Sequence, residues 1–428
     1  MTINNCVFPF KQTDFSTLIG NSLQANYIYQ YLTALNAKTF VVEDDYIDKN
    51  YLIDYQKFYS RSFEEIKRFT KRIHFFSGQF SIRELERTLD DNNIQDFGKY
   101  LGFVVVRPIK DPNGNPLIGR TLVQTYPPST NGKKRFYVTA DYDASLFGID
   151  LSIKSIPFQT QDQGVSACAT IALWTSLQSL IPVFGIPERS PAEITEMAME
   201  FPSQSRIFPQ TGLTLGQILT CIRSMDLDVE VIKAADNDVI ATAIKAYTYA
   251  GIPLIGTLKL SKESSVDYHA VVIDGYQYDN DGTLTELYVH DDQIGPYSRV
   301  EPNPDFINWK NKWSTDLGYQ VELGEVLVPI YHKIRLPFHH IYQHYASKKD
   351  YIARYDVTLD LYLTTVQKYK NSLISKRIDG KSKLLQMSLP RFIWIERACE
   401  KGKRDPIHDD VFDGTAIRCT KCASVDYE

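Results

Sequence analysis

Apolar residues recur at helical spacing in the middle of the chain. They are Ile171, Trp174, Leu177 and Ile181, with Leu173 and Leu180 beside them. This spacing predicts a helix from about residue 167 to residue 180, and the added leucines give it the wide apolar face of a buried helix. We expect Pro182 to end the helix, because proline supplies no backbone N–H to the helical ladder.

Capping signals mark further helices in the same region. Ser190-Pro191-Ala192-Glu193 places a capping serine before a proline and sets an acidic residue three positions after the serine, which is typical of a helix start. The pattern also predicts helices over 215–225 and 238–249, the second closed by Gly251, and a strand over 252–258.

Two β-branched runs farther along the chain predict a β-hairpin. They cover residues 268–276 and 284–290, and the polar sequence Asp279-Asn280-Asp281-Gly282 separates them. Such a polar, glycine-containing turn between two apolar runs is a strong hairpin signal.

The flanking segments mix helical and extended patterns. The sequence predicts a helix over 55–72, a hairpin from strands 102–107 and 120–124, a helix over 356–372 and a strand over 392–395. We therefore expect an α+β protein in three parts: an N-terminal mixed α/β accessory domain at 1–150, a central domain at 151–330 and a C-terminal α/β extension at 331–428.

Composition excludes several classes of protein. The 428 residues are 43% hydrophobic and carry a formal net charge of −5, so the chain lacks the overall basic field that holds a nucleic acid. No uninterrupted apolar stretch approaches the ~18 residues that span a bilayer, and the N-terminus has no signal-peptide pattern. We expect a cytoplasmic protein with no nucleic-acid partner and no membrane partner.

Six scattered cysteines are too few for a disulfide framework in a chain of this length. Cys168 stands out because it lies in the first turn of the predicted buried helix, where the helix dipole and unpaired backbone N–H groups favour the nucleophilic thiolate. Gln161 and Gln163 precede it, and His269 begins the predicted hairpin, whose second strand ends in His290-Asp291-Asp292. Acyl transfer needs these types of group: a nucleophile, a base, a group that orients the base, and an oxyanion donor.

These motifs resemble those of the papain-like cysteine peptidases, and within that fold the C39-like peptidases, over residues 157 to about 300. The resemblance rests on Gln-x6-Cys-Ala-Thr at the first helix, on the helix-Gly-Ile-Pro-strand unit at 240–258, on His-Ala-Val-Val-Ile-x-Gly-Tyr, and on the strand ending His-Asp-Asp. It implies a papain-like core in which an N-terminal helix carries the cysteine and an antiparallel sheet carries the histidine and the aspartate.

The resemblance also implies roles for individual residues. Cys168 would be the nucleophile, His269 its base and Asp291 the group that orients the imidazole, with a glutamine and the Cys168 backbone N–H forming the oxyanion hole. Gln161 and Gln163 both stand close to the position of the family glutamine, and Asp292 is the alternative to Asp291. The resemblance implies a protein or peptide substrate, no cofactor and no metal, and whether an activating partner exists stays open.

Other readings of the same residues stay open. A deamidase or a transglutaminase-type acyl transferase would use the same triad, and a non-catalytic module would use the domain only to bind a peptide or partner. Cys399, His408, Cys419 and Cys422 could supply four zinc ligands. His340 and His344 share a helical spacing but lack the glutamate of a zinc-peptidase motif.

Overall fold

The computed structural model describes residues 6–91, 97–129, 132–162, 167–201, 212–352 and 354–428. The chain forms two compact units, each built from several stretches of sequence. The first unit comprises Met1–Pro127, Thr139–Cys221 and His290–Ser298, and the second comprises Pro128–Val138, Ile222–Val289 and Arg299–Glu428. None of the described helices combines the length and the apolar character needed to cross a membrane.

The N-terminal third supplies one sheet and four helices. Its elements are β1 (Val7–Pro9), α1 (Gln12–Ile19), α2 (Leu23–Ala34), β2 (Thr39–Tyr46), α3 (Lys49–Lys57), β3 (Thr70–Phe76), α4 (Ile82–Asp91), β4 (Tyr100–Lys110) and β5 (Pro116–Val123). The five strands form an antiparallel sheet in chain order, with residues 111–115 as the turn between β4 and β5. The hairpin predicted over 102–107 and 120–124 is confirmed.

Neighbouring residues of this sheet point to opposite faces, as the pleat requires. On one face Phe75 packs against Phe40 and Phe15, with ring centroids 6.2 and 6.0 Å away. On the other face Phe76 belongs to a core cluster with Val105 and other buried residues of the sheet. The first unit is therefore organised around a sheet that is buried on both faces.

The middle of the chain carries most of the candidate chemistry. Its elements are β6 (Lys134–Tyr137), β7 (Ala140–Leu146), β8 (Ile149–Ser155), α5 (Cys168–Phe184), α6 (Pro191–Met199), α7 (Leu215–Arg223), β9 (Leu227–Lys233), α8 (Asn237–Ala250), β10 (Leu254–Lys262), β11 (Ser265–Tyr278), β12 (Leu284–Asp291), β13 (Gly295–Pro302), β14 (Trp309–Lys310), α9 (Lys312–Thr315) and β15 (Gln320–Tyr331). One sheet has the strand order β14-β13-β12-β11-β10-β15-β9, and β6 also pairs with β11.

Two of the local signals of this region, both at helix ends, are confirmed. Ser190 accepts a hydrogen bond from the backbone N–H of Glu193, whose carboxylate accepts one from the N–H of Ser190, so the predicted capping box is present. Gly251 ends α8 in the left-handed conformation, with φ of 86°. The predicted end at Pro182 is wrong, because α5 continues to Phe184 and is closed by Gly185 in the left-handed conformation.

The C-terminal part adds a four-stranded sheet. Its elements are α10 (Phe338–Ile352), β16 (Val357–Thr365), α11 (Val366–Leu373), α12 (Lys381–Gln386), β17 (Phe392–Glu400), β18 (Pro406–Asp413) and β19 (Lys421–Asp426), and the strands pair in chain order. In the second unit α8 packs against β16, and its Tyr247 ring lies 5.5 Å from that of Trp394.

Two predicted helices are wrong. The segment 55–72 holds the end of α3, a 3-10 turn at Tyr59–Arg61 and the start of β3. Phe63 is fully exposed there, so the apolar spacing does not mark a buried face. The segment 356–372 is β16 followed by α11, because the alternation of apolar residues in Val357–Thr365 has the period of a strand. Helices combined with antiparallel sheets agree with the α+β class, and the papain-like core stays a prediction.

Candidate active site

Cys168 is the first residue of α5, as the sequence predicts. It is half-buried, whereas each of the twelve residues from Ala169 to Leu180 is buried. The N-cap residue Ala167 has no side-chain oxygen with which to cap the first backbone N–H groups. The first backbone N–H groups of α5 therefore lie at the same end of the helix as the thiol.

The apolar character of α5 fixes the position of this thiol. Trp174 and Leu173 are completely buried, and Gly185 closes the helix by donating its N–H to the carbonyl oxygen of Ile181 at 2.8 Å. A helix that is buried on all sides is held by packing around its whole circumference. The Cys168 thiol thus lies at the start of a rigid element of the first unit.

Gln161 lies on the extended segment that precedes α5. Backbone hydrogen bonds anchor this segment, with Thr160 donating its N–H to the carbonyl oxygen of Ile118 at 3.0 Å. Arg107 donates from Nη2 to the Thr160 carbonyl oxygen at 2.9 Å. Gln161 lines a cavity of about 310 Å³ together with Tyr59 and other residues of the first unit. Gln163, the alternative oxyanion residue, lies outside the described residues.

A buried polar cluster that the sequence analysis did not predict adjoins Gln161. Asp162 is 4% exposed, accepts a hydrogen bond from the Tyr59 hydroxyl and lies 3.6 Å from Nη1 of Arg107. These residues are at least 48 positions apart from one another in the chain, so no local motif indicates them. Together they fix the backbone next to the candidate oxyanion glutamine.

His269 lies on β11 in the second unit. Its position in the antiparallel ladder is opposite Leu258 of β10, and the residue is 4% exposed. The imidazole packs against the indole ring of Trp313, with ring centroids 5.4 Å apart. Trp313 is itself buried. It belongs to no recognised sequence motif, so the sequence alone did not indicate its role. An aromatic ring against the imidazole limits its access to water.

Asp291 is the last residue of β12, as predicted for the orienting carboxylate. One of its side-chain oxygens accepts the backbone N–H of Gln293 at 3.0 Å, and its carbonyl oxygen accepts the N–H of Ile294 at 3.0 Å. Asp291 is thus a turn-capping residue. Asp292 is also buried, and its carbonyl oxygen accepts the Gln24 side-chain amide at 3.4 Å.

His290 has a structural position beside these aspartates. Its Nε2 lies 3.2 Å from the carbonyl oxygen of Ile156, and its ring meets that of Tyr297 edge to face at 4.6 Å. Nε2 therefore carries the proton and donates it to the carbonyl oxygen. This contact holds the start of the segment that leads to Gln161.

The predicted residues are thus divided as follows. Gln161, Cys168, Asp291 and Asp292 belong to the first unit, and His269 belongs to the second. His269 and Asp291 are on β11 and β12, which are neighbours in one sheet. This adjacency agrees with the predicted hairpin.

The alternative zinc site does not form. Among the described residues, Cys399, His408, Cys419 and Cys422 do not come together as a group of ligands. Cys399 is buried in β17, and His408 instead has its two ring nitrogens 2.6 and 2.8 Å from carboxylate oxygens of Asp426 and Asp410. His344, from the second alternative, lies 2.6 Å from the buried carboxylate of Glu396.

The sequence was also compared with known proteins. No protein-family model matches this chain, and no curated protein matches it.

Proposed function

We propose that this protein is a cysteine peptidase with Cys168 as nucleophile, His269 as base and Asp291 as the group that orients the imidazole. The observation that carries the proposal is the position of Cys168, which is half-buried at the first residue of a helix whose next twelve residues are buried. A thiol in such a position is stabilised as the thiolate and is held by a rigid support. The substrate would be a protein or a peptide.

The proposed reaction has two stages. In the first, His269 takes the proton of the Cys168 thiol, and the thiolate forms a bond to the substrate carbonyl carbon. The oxyanion accepts hydrogen bonds from the Cys168 backbone N–H and from a glutamine amide, for which Gln161 is the described candidate. His269 then protonates the leaving amine as the C–N bond breaks, which leaves a thioester.

In the second stage water replaces the amine. His269 takes a proton from the water, the hydroxide oxygen attacks the thioester carbonyl, and the C–S bond breaks to release the carboxylic acid and the thiol. Asp291 would hold the imidazole in the orientation that both proton transfers need. Its place at the end of β12, the strand beside the one that carries His269, supports this role.

The test is the rate at which iodoacetamide alkylates each cysteine between pH 5 and pH 9, read by mass spectrometry. The other cysteines give a low background at acidic pH, because burial raises the pKa of Cys6, Cys419 and Cys422, that of Cys399 to about 11 and that of Cys221 to about 12. A thiolate paired with an imidazolium stays reactive well below pH ~8.5, where an ordinary thiol titrates. We expect Cys168 alone to react quickly at pH 6.

Substitutions show whether the reactivity of Cys168 comes from an ion pair with His269 or only from its exposure to solvent. His269→Ala should slow the alkylation of Cys168 at pH 6 by tenfold or more, whereas His408→Ala, which removes a histidine paired elsewhere, should leave it unchanged. Equal alkylation of Cys168 in the wild type and in His269→Ala would refute the ion pair.

Activity is then tested on a mixture of denatured proteins, in which newly formed termini are counted by mass spectrometry. Cys168→Ala should abolish the new termini, and Cys419→Ala should retain them. Conversion of glutamine to glutamate without new termini would indicate a deamidase instead of a peptidase. The same yield of new termini from Cys168→Ala as from wild type would overturn the proposal.

A further inference from the structure

The cavity beside Gln161 has room for part of a substrate. Its volume is about 310 Å³, and all of its lining residues belong to the first unit. The lining comes from the start of α2, from Tyr59, from the turn end of the β4–β5 hairpin and from residues 160–162. Only residues 160–162 fall within the segment that resembles the papain-like peptidases, so the N-terminal part of the chain supplies the rest of the cavity.

The cavity is large enough for a bulky side chain. An apolar cavity of ~150 Å³ takes up a benzene molecule, and the volume of this one is about 310 Å³. The side chain of phenylalanine is a benzene ring with an added methylene group, so it fits. Lys110 and Pro112 of the lining are exposed, so a substrate can reach the cavity from solvent.

Apolar side chains of the β4–β5 hairpin form one part of the lining. They are Ile109, Pro116 and Leu117, and each is half-buried. Apolar surface that is still partly in contact with water becomes more favourable when another apolar group covers it. The hairpin therefore favours an apolar occupant.

Polar groups of the lining already form hydrogen bonds within the protein. The Asp111 carboxylate accepts the backbone N–H groups of Asn113 and Asn115 at 2.9 and 2.8 Å. The Ser22 hydroxyl oxygen accepts the backbone N–H of Ala25 at 3.1 Å and so caps α2. These groups hold the walls of the cavity in place.

The charges around the cavity balance. Asp162 of the lining lies 3.6 Å from the guanidinium of Arg107. The lining also contains one exposed cation, Lys110, and its neighbour in the chain is the carboxylate of Asp111. A charged ligand would find no excess of opposite charge, so the occupant is uncharged.

Two lining residues connect the cavity with the proposed active site. Gln161 is the candidate oxyanion residue. Gln24 donates from Nε2 to the carbonyl oxygen of Asp292 at 3.4 Å, and Asp292 directly follows the proposed orienting residue Asp291. Successive residues of a peptide lie ~3.8 Å apart. A substrate carbonyl held at Gln161 therefore brings a side chain one or two residues from the scissile bond within reach of the cavity.

We propose that this cavity is a specificity subsite that takes a large, uncharged apolar side chain, leucine or phenylalanine, one or two residues from the scissile bond. The inference rests on the proposed function, because it names the class of substrate that the same active site cleaves. The N-terminal part of the chain thereby determines where the peptidase cuts.

The test is to map every cut that the full-length protein makes in a mixture of denatured proteins, read by mass spectrometry. Among the cuts that Cys168→Ala abolishes, leucine and phenylalanine should be enriched about tenfold at one position within two residues of the cut. Cuts that depend on Cys168 but show no such enrichment would overturn the subsite and leave the peptidase standing. A complete lack of cuts that depend on Cys168 would overturn both.

A charge placed in the lining tests the cavity directly. Leu117→Lys should reduce the enrichment to less than about twofold, because the apolar side chain would then lie against an ammonium group. Leu23→Lys makes the same change at an exposed residue of α2 outside the lining and should retain the enrichment. Alkylation of Cys168 at pH 6 should be equal in the two variants, which separates loss of the subsite from damage to the nucleophile. Equal enrichment in wild type and in folded Leu117→Lys would refute the subsite.

A smaller change serves if Leu117→Lys fails to fold, as judged by circular dichroism. Leu117→Ala enlarges the cavity, so the preference should shift from leucine towards phenylalanine and tryptophan. An unchanged ratio of leucine to aromatic residues at the selected position would contradict the assignment of this cavity.

Discussion

Asp54 allows a quantitative test of how the first unit is packed. It lies in α3, is 4% exposed, and accepts the backbone N–H of Ala192 from the start of α6 at 3.1 Å. Burial raises the pKa of this carboxyl from 3.8 to about 7, since desolvation outweighs the Ala192 hydrogen bond and the charge of Arg107, while Asp162 adds to the rise. The packing of α6 on α3 therefore depends on whether the Asp54 carboxyl is protonated.

The direction of the pH dependence follows from the number of protons that Asp54 binds in the folded and in the unfolded protein. Between pH 4 and pH 7 the folded protein holds a proton on Asp54 that the unfolded chain has already released, so stability falls as pH rises. The stability that comes from the protonated Asp54 carboxyl is fully present below pH 3.8 and is largely lost by pH 7. A pKa displaced from 3.8 to about 7 corresponds to about 4 kcal/mol in total, of which roughly 2.5 kcal/mol falls between pH 5 and pH 8.

Asp54→Asn removes this dependence and keeps an oxygen acceptor for Ala192. In urea titrations followed by circular dichroism, the variant should gain about 2.5 kcal/mol relative to wild type when the pH is raised from 5 to 8. Asp111→Asn serves as the control: its carboxyl caps a turn and has a lowered pKa, so its effect on stability should be the same at pH 5 and pH 8. A difference between Asp54→Asn and wild type that does not change with pH would refute the reasoning.

Two further substitutions test how the fold is held. Asp409 is fully buried and forms a two-point ion pair with Arg397, so Asp409→Asn should lower the free energy of unfolding by about 3–5 kcal/mol. Asp426→Asn, at an 81% exposed carboxylate, should cost less than about 1 kcal/mol by the same urea titration, and equal effects of the two would contradict this view. Ser190→Ala removes the cap of α6 and should lower stability by about 1 kcal/mol in thermal unfolding, and an unchanged unfolding midpoint would contradict the capping role.

Elements with strong local signals were predictable from sequence. The capping box at Ser190, the left-handed Gly251 after α8 and the polar turn before Leu284 each depend on a few neighbouring residues, and each appears in the structure. The helix start at Cys168 also follows from a nearby apolar repeat. These features are set mainly by backbone preferences and by one buried face.

The remaining features depend on contacts between distant parts of the chain. The ring of Trp313 against His269 and the pairing of Arg107 with Asp162 join residues about 45 or more positions apart. The region before β3 was mispredicted as helix because its aromatic spacing resembles a buried face, yet Phe63 is exposed. Tertiary packing decides such cases, and a single sequence carries little information about it.

The first unit is assembled from three stretches of chain. The last of them, His290–Ser298, follows a long stretch, Ile222–Val289, that belongs to the second unit. A chain emerging from the ribosome therefore cannot complete the first unit until residue 298 has been released, by which time much of the second unit has also been synthesised. Contacts between residues that lie this far apart in the sequence are slow to form during folding. Cutting the gene at residue 150 or residue 330 would separate pieces that belong together, and truncated fragments should require chaperones or aggregate during expression.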